Sequence, residues 1–169
     1  MKIPTIIAET IVRKNGTDEL VGLATVTLPD VEHKTEEIQG MGVDTFEQVI
    51  PGSFNALSLT MKFTGVSKSF NLDSYKVLDL IITAAVSVKD TETQEDEFIK
   101  VVCSVKGKIK KRTGGEFGKG NKNEPEIEIA LTYYKLEVDN DVVYEIDKTA
   151  KKVVIDGEDV YAGIKNILG

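Results

Sequence analysis

The sequence predicts a mainly β protein, an antiparallel β-sandwich or barrel with one short internal helix and a C-terminal helix. Three observations carry that prediction. Leu57, Leu59, Met61 and Phe63 alternate with Ser58, Thr60, Lys62 and Thr64 without a fault, the period of a half-buried strand. Two longer alternating runs, residues 98–111 and 126–138, flank a glycine-rich loop and read as an antiparallel hairpin. Gly, Asn and Asp turn signals separate the remaining apolar runs, while helical spacing is confined to two short stretches.

Taken in order, residues 6–12 form a first strand or an extended arm, followed by the turn signal Asn15-Gly16. Residues 20–28 form a strand, with Thr25 and Thr27 set against Ala24, Val26 and Leu28, that stops at Pro29-Asp30. Residues 31–39 resume as a polar strand bearing Glu32, His33, Lys34, Glu36 and Glu37. One of its faces must meet solvent, a channel or a polar partner.

Residues 40–53 keep no period and read as an excursion or long loop. In a single domain spanning 1–169, the two extended loops fall at about 40–56 and 112–125. Met41, Val43, Phe46, Val49 and Ile50 make the first of these too apolar to stand free in water, so it packs back on the domain or docks on another copy. Residues 57–64 are the cleanest strand. Asn71 can cap a short helix to about Leu78, with Asp73 near its N-terminus. Residues 79–88 form an Ile- and Val-rich strand, and residues 90–97 a charged turn.

In the central hairpin, Val101, Cys103, Val105 and Ile109 share one face while Lys100, Ser104, Lys106, Lys108 and Lys110 share the other. Glu126 and Glu128 can oppose those lysines. The alternation slips at Tyr133-Tyr134, which implies either a bulge or a strand with apolar contacts on both sides. Both strands exceed the usual five or six residues. Residues 98–111 hold five lysines and no acids, whereas residues 124–147 hold eight acids and one lysine. Within the hairpin this gives cross-strand pairs; between copies it brings a basic edge to an acidic one, a head-to-tail contact that generates rings or filaments.

Residues 139–141 make a tight turn, residues 142–147 and 152–155 two short strands, and Asp156-Gly157 ends the β part. A C-terminal helix follows, with Asp156 as its cap and Val160, Tyr161, Ile164, Ile167 and Leu168 on one stripe.

Composition bounds the function. A net charge of -7 and a pI near 4.9 argue against a duplex-binding protein. The single cysteine, Cys103, excludes an internal disulfide framework and sits as a small hydrophobe on an apolar face. No run approaches the roughly 20 apolar residues of a membrane span. The first residues carry an early proline and too short an apolar run for a secretory signal, so folding in the cytoplasm is expected.

Catalytic motifs fail in turn. His33 is the only histidine and lies among charges, away in sequence from Cys103. The glycine-rich loop lacks a phosphate loop's first glycine and its closing Ser or Thr, which are replaced by Thr113 and Gly120. Asp139-Asn-Asp141 and the Asp156 to Asp159 cluster lack the ligand spacing of a calcium loop and read as turns and caps. No catalytic residue, metal ligand or cofactor site is expected.

The C-terminal third carries a resemblance. Thr132-Tyr-Tyr-Lys-Leu-Glu-Val-Asp139, then Val143-Tyr-Glu-Ile-Asp147, then Lys152-Val-Val-Ile-Asp-Gly-Glu-Asp-Val160 and the closing helix resemble the end of the major tail tube proteins of contractile-tailed phages. Upstream, Val26-Thr-Leu-Pro29, Gly40-Met-Gly42, Ala56-Leu-Ser58 and Val105-Lys-Gly-Lys108 fall in the same order. The similarity spans essentially the whole chain and is weakest over residues 66–97.

The resemblance implies a structural protein with the tail-tube fold, six copies of which close into a ring whose inner sheets join as one barrel. Stacked rings then form a hollow conduit for DNA or ion passage, in a phage tail or an R-type bacteriocin. It implies no enzyme activity and no cofactor. The implied partners are further copies of the chain, the surrounding sheath, baseplate and tail-terminator proteins, and a tape measure protein in the lumen. Specific nucleic-acid binding and membrane insertion by the subunit are not implied. Assembly is expected in the bacterial cytoplasm, and the finished particle as a virion tail or a released bacteriocin. On that basis Glu32, Lys34 and Glu36 are expected to face the lumen. Met41, Val43, Phe46, Lys106, Lys108, Glu116, Phe117 and Lys119 are expected to touch neighbouring copies or rings. A type VI secretion tube protein and a monomeric β-sandwich ligand-binding module are the rival readings.

Overall fold

Alternation of the kind seen in residues 57–63 produces strands throughout the computed structural model, which describes residues 1–14, 18–19, 23–66 and 76–169. In chain order these are β1 (Lys2–Lys14), β2 (Asp18–Glu19), β3 (Leu23–Thr27), β4 (His33–Gly40), β5 (Val43–Phe54), β6 (Leu57–Phe63) and β7 (Leu78–Asp90). There follow β8 (Asp96–Thr113), β9 (Glu126–Val138), β10 (Asp141–Asp147), β11 (Lys152–Ile155), β12 (Glu158–Asp159) and helix α1 (Ala162–Leu168). Among the described residues ten strands join in one sheet, while β4 and β5 pair only with each other. Every pairing is antiparallel.

The main sheet runs β12-β11-β10-β9-β8-β7-β1-β2 and branches at β9. One edge of β9 follows β8 along its length. The other edge takes β6 over residues 126–131 and β10 over residues 133–138, and β3 adds to the far side of β6. The branch point is a bulge: Lys106 faces Tyr133 and Gly107 faces Leu131, which leaves Thr132 as the extra residue. Of the two readings the sequence offers for the slip at Tyr133-Tyr134, the structure has the bulge. It shifts the parity of the strand, so that Ile127, Ile129 and Leu131 before it and Tyr134 after it are all buried in one core. Without it, half of β9 would turn its apolar side to water. Gly107 permits the close approach, since a Cβ there would lie 2.1 Å from the Ala130 carbonyl oxygen.

The core is enclosed by Val12 of β1, Leu59, Met61 and Phe63 of β6, Leu80 of β7, Val105 of β8, Ile129 of β9 and Ile146 of β10. Strands β6 and β7 lie on opposite sides of the β8–β9 pair yet feed the same core. The sheet therefore curls on itself, barrel-fashion, and Cys103 is one of its buried side chains.

Three expectations need correction or restriction. The stretch read as a loop over about 40–56 is mostly β5, paired with β4 in a hairpin. Its period was hidden because the hairpin stands clear of the main sheet and most of its side chains are exposed, so neither face is selected to be apolar. Asp156 does not cap the last helix: Asp156 and Gly157, at φ 51° and 81°, make the turn between β11 and β12. Helix α1 starts only at Ala162, with Tyr161 at the N-cap and no side-chain capping bond. The internal helix expected from Asn71 falls largely on residues 71–75, outside the described residues, as does the Asn15-Gly16 turn; Leu78, its expected end, opens β7.

Candidate assembly interface

The part of the molecule that distinguishes it from an ordinary β domain is a four-stranded segment made of β3, β6, β9 and the C-terminal part of β8. Its inner face supplies the core. Register places Thr25 and Thr27, Ser58, Thr60 and Lys62, Glu126, Glu128 and Ala130, and Lys108 and Lys111 on the other face. None of the exposed large apolar side chains among the described residues lies there. The charges are cross-linked: Lys110 Nζ lies 3.0 Å from Glu128 Oε1 and donates to Ser58 Oγ at 2.8 Å. The pairing of Glu128 with a lysine of the preceding strand is as the sequence predicts.

Among the described residues both lateral edges of this segment lack a further strand. Strand β3 pairs there only with β6. On the other side, β7 accompanies β8 only as far as Gly107, so among the described residues no strand pairs with the outer edge of residues 108–111. Open edges of this kind recruit other strands.

The two ends differ as well. Antiparallel order puts Thr27 and Leu57 at one end, where the chain leaves for the β4–β5 hairpin and returns. It puts Phe63, Thr113 and Glu126 at the other, where residues 114–125 form the glycine-rich loop. Those ends are roughly 20 Å apart, the length of a strand such as β6.

The root of the hairpin is tied down. The Tyr161 hydroxyl donates to the Gly52 carbonyl at 2.8 Å, and its ring covers Gly52 so closely that a Cβ would lie 2.5 Å from Cζ. Gly52 has φ 70°, inside an irregularity where residues 50–53 of β5 are spanned by Lys34 alone on β4. Lys148 Nζ donates to the carbonyls of Asn55 at 2.8 Å and Phe54 at 3.3 Å. Burial, and secondarily the charge of Lys34, push its ammonium below the ordinary lysine value. The Asn55 amide donates to the Glu32 carbonyl at 2.8 Å, and the rings of His33 and Phe54 stack at 4.5 Å.

The sequence-predicted residues thus divide between the two ends and the sheet. Glu32, Lys34 and Glu36 lie at the root and along β4; Met41 is at the hairpin tip, fully exposed, with Val43 and Phe46 exposed on β5. Lys106 stands 5.3 Å above the Tyr133 ring and Lys108 is on the polar face. Glu116, Phe117 and Lys119 are in the opposite loop, with Phe117 90% exposed. That loop is braced by Asn123, whose Nδ2 donates to the carbonyls of Gly114 at 3.0 Å and Glu116 at 2.9 Å. Sequence reasoning missed Gly52, Gly107, Lys148 and the anchoring role of Tyr161. The dipeptide Pro51-Gly52 was the one available signal, since it marks a break in a strand.

The profile of the family described as phage tail tube protein FII matches residues 4–169. The chain belongs to that family. Among relatives of this tail tube protein, the major tail tube protein of Serratia phage KSP20 is 28% identical over 148 residues, covering 87% of this chain and 85% of the relative. The tail tube protein of Escherichia phage P2 is 30% identical over 126 residues, 72% of each. Two solved structures share the fold at 17% identity. One is a sheath/tube terminator of the extracellular contractile injection system PVC, with a TM-score of 0.54 over 79% of this chain and 96% of that one. The other is from the sheath–tube complex of the same kind of system, with a TM-score of 0.52 over 79% and 91%.

A tail tube protein is a structural component and not an enzyme. Cys103 is buried in mid-β8, with burial pushing its thiol up to about 12, and His33 is stacked on Phe54 at the hairpin root. Among the described residues no group of three His, Cys, Asp or Glu side chains is placed to hold a metal.

Proposed function

We propose that copies of this chain close into rings, six to a ring as the family resemblance implies, and that rings stack into the hollow inner tube of a contractile tail. The observation that carries this reading is the four-stranded segment whose outer face is polar but for Ala130 and whose two lateral edges lack a further strand among the described residues. Residues 108–111 of one copy pair with β3 of the next, every copy contributes four strands, and the polar faces become one continuous wall around a water-filled bore. Closure satisfies the open edges and leaves no free end in the ring. The contact is heterologous, using different surfaces on the two copies, which is the kind that generates rings.

Glu32, Lys34 and Glu36 stand at the rim of this bore, where the hairpin leaves the sheet. The wall interleaves Thr25, Thr27, Ser58 and Thr60 with Lys62, Lys108, Lys110 and Lys111 and with Glu126 and Glu128, and Lys62 and Lys110 are paired with Glu124 and Glu128, so it presents a hydrated mixed-charge surface to what passes through the bore. The two solved relatives belong to assemblies named for a sheath, and a sheath outside the tube is accordingly the proposed outer partner. Baseplate, tail-terminator and tape measure proteins are the further proposed partners, with assembly in the bacterial cytoplasm before release. Negative-stain microscopy of the purified protein tests the proposal. Annular particles and hollow tubes are expected; a single monomeric species at all concentrations would overturn it.

A further inference from the structure

The β4–β5 hairpin leaves the body over a cavity of about 260 Å³ whose walls come from both sides of the junction. Lys34, Gly52 and Ser53 belong to the hairpin, while Asp147, Lys148, Lys151 and Tyr161 belong to the β10–β11 turn and the approach to α1. The floor is apolar, with Phe54, Ile146 and Val153 all buried. Three ammonium groups therefore share the cavity with one carboxylate, in a chain of net charge -7. That carboxylate is committed to its own turn. Asp147 Oδ1 accepts from Thr149 Oγ1 at 2.8 Å and from the amides of Thr149 and Ala150 at 3.1 Å each, bonds that hold the carboxyl below its ordinary value. Among the described residues none of the three lysines is in an ion pair. Lys148 Nζ spends two of its three N–H donors on the Phe54 and Asn55 carbonyls, which fixes the ammonium in place and leaves the third donor for a ligand. Burial first, and Lys34 second, hold that ammonium below the ordinary lysine value, so two cations repel across the junction.

We propose that this cavity binds a free tetrahedral oxyanion of the inorganic phosphate type, and that the bound anion ties Lys34 of the hairpin to Lys148 and Lys151 of the turn. A doubly charged anion between the lysines replaces their repulsion with attraction, and each contact is a charge-assisted hydrogen bond, stronger than a neutral one. The apolar floor keeps solvent from one side of the site, where a lower local dielectric strengthens those bonds. Lysine ammonium groups act as point charges with rotatable donors, so a tetrahedral oxyanion suits them without the planar match that arginine imposes. Gly52, at φ 70°, lets β5 bend where it passes the cavity. The anion therefore acts at a hinge: it adds a bridge to the contacts of Tyr161 and Lys148 that already hold the hairpin root. The site belongs to the single subunit and does not depend on the ring reading.

The test uses the full chain as a soluble subunit in a buffer without phosphate. Calorimetric titration with sodium phosphate should show a saturable site, and sodium chloride at matched ionic strength should show none. Protease cutting within residues 33–54 should slow in saturating phosphate relative to chloride. Lys34→Gln with Lys151→Gln, both exposed, should weaken phosphate binding by about tenfold or more, the loss expected for hydrogen bonds to a charged group, and should abolish the protection. Lys119→Gln with Lys122→Gln removes the same charge from the loop at the far end and should leave binding and protection as in the parent. Absence of saturable binding to the parent would overturn the proposal. Equal weakening by the two double variants would also overturn it, as a general effect of net charge. Saturable binding with unchanged cutting of the hairpin would refute the tie between hairpin and turn. Circular dichroism of each variant confirms that the comparison is made between folded chains.

Discussion

Gly107 and Thr132 decide more of this structure than any charged or aromatic residue. The bulge at Thr132 keeps both halves of β9 facing one core, and Gly107 is the residue that lets β8 pass it. Gly107→Ala should cost at least about 1–3 kcal/mol, the usual range for overpacking, and would be read as a lower urea midpoint. Leu59→Ala, at a site with no solvent exposure, should cost about 2–5 kcal/mol by leaving a cavity. The buried Cys103 thiol, held at about 12, should resist iodoacetamide at pH 8 until the chain is unfolded. Glu145 accepts from Tyr133 and sits 2.7 Å from Lys152. Lys152 first and Tyr133 second hold its carboxyl below the usual range. A carboxyl depressed in the folded state stabilises above its unfolded pKa, and that contribution is lost as pH falls through the folded value. The stability advantage of the parent over Glu145→Gln should therefore be present at neutral pH and vanish in acid, as measured by urea melts across pH.

At the scale of elements, legibility followed burial. Strand β6 could be read from Leu57 to Phe63 because every second residue is buried, and β9 could be read with its slip because a bulge leaves a trace in the parity. The hairpin could not be read as strands: with both faces exposed, Glu36, Ile38, Phe46 and Gln48 share a face and no apolar period forms. The cap at Asp156 was misread because an Asp-Gly pair serves a hairpin turn as well as it serves a helix start, and only pairing of Ile155 with Glu158 distinguishes them. The exposed stripe of α1, with Ile167 and Leu168 in solvent, was legible as apolar but not as unburied. Met41 and Phe46 were legible as too apolar for a free loop, whereas Phe117 was named only through the family resemblance. The anchoring of the hairpin was not legible, because Tyr161 and Gly52 meet only in three dimensions. Tyr161→Ala should loosen the hairpin root, increasing protease cutting within β5 while leaving the melting of the main sheet within a few degrees of the parent. The loop over residues 114–125 should be cut readily in the free subunit and protected in the stacked form.

The whole molecule is an incomplete object by this account. Its core is closed, yet among the described residues β3 and residues 108–111 have no strand on their outer edges, and the proposed ring supplies one from a neighbouring copy. Charge reversal at Lys106 and Lys108 should weaken ring or tube formation more than folding, since both are exposed; normal tube yield from that variant would remove them from the interface. The claim that edges of β3 and residues 108–111 join between copies is the one on which the tube depends, and amide hydrogen exchange of the free and assembled protein addresses it directly. Amides of β6 and β9 should be protected in both states, while outward-facing amides of β3 and of residues 108–111 should exchange fast in the free subunit and slow at least tenfold on assembly. Unchanged exchange along those two edges in fully formed tubes would contradict the account.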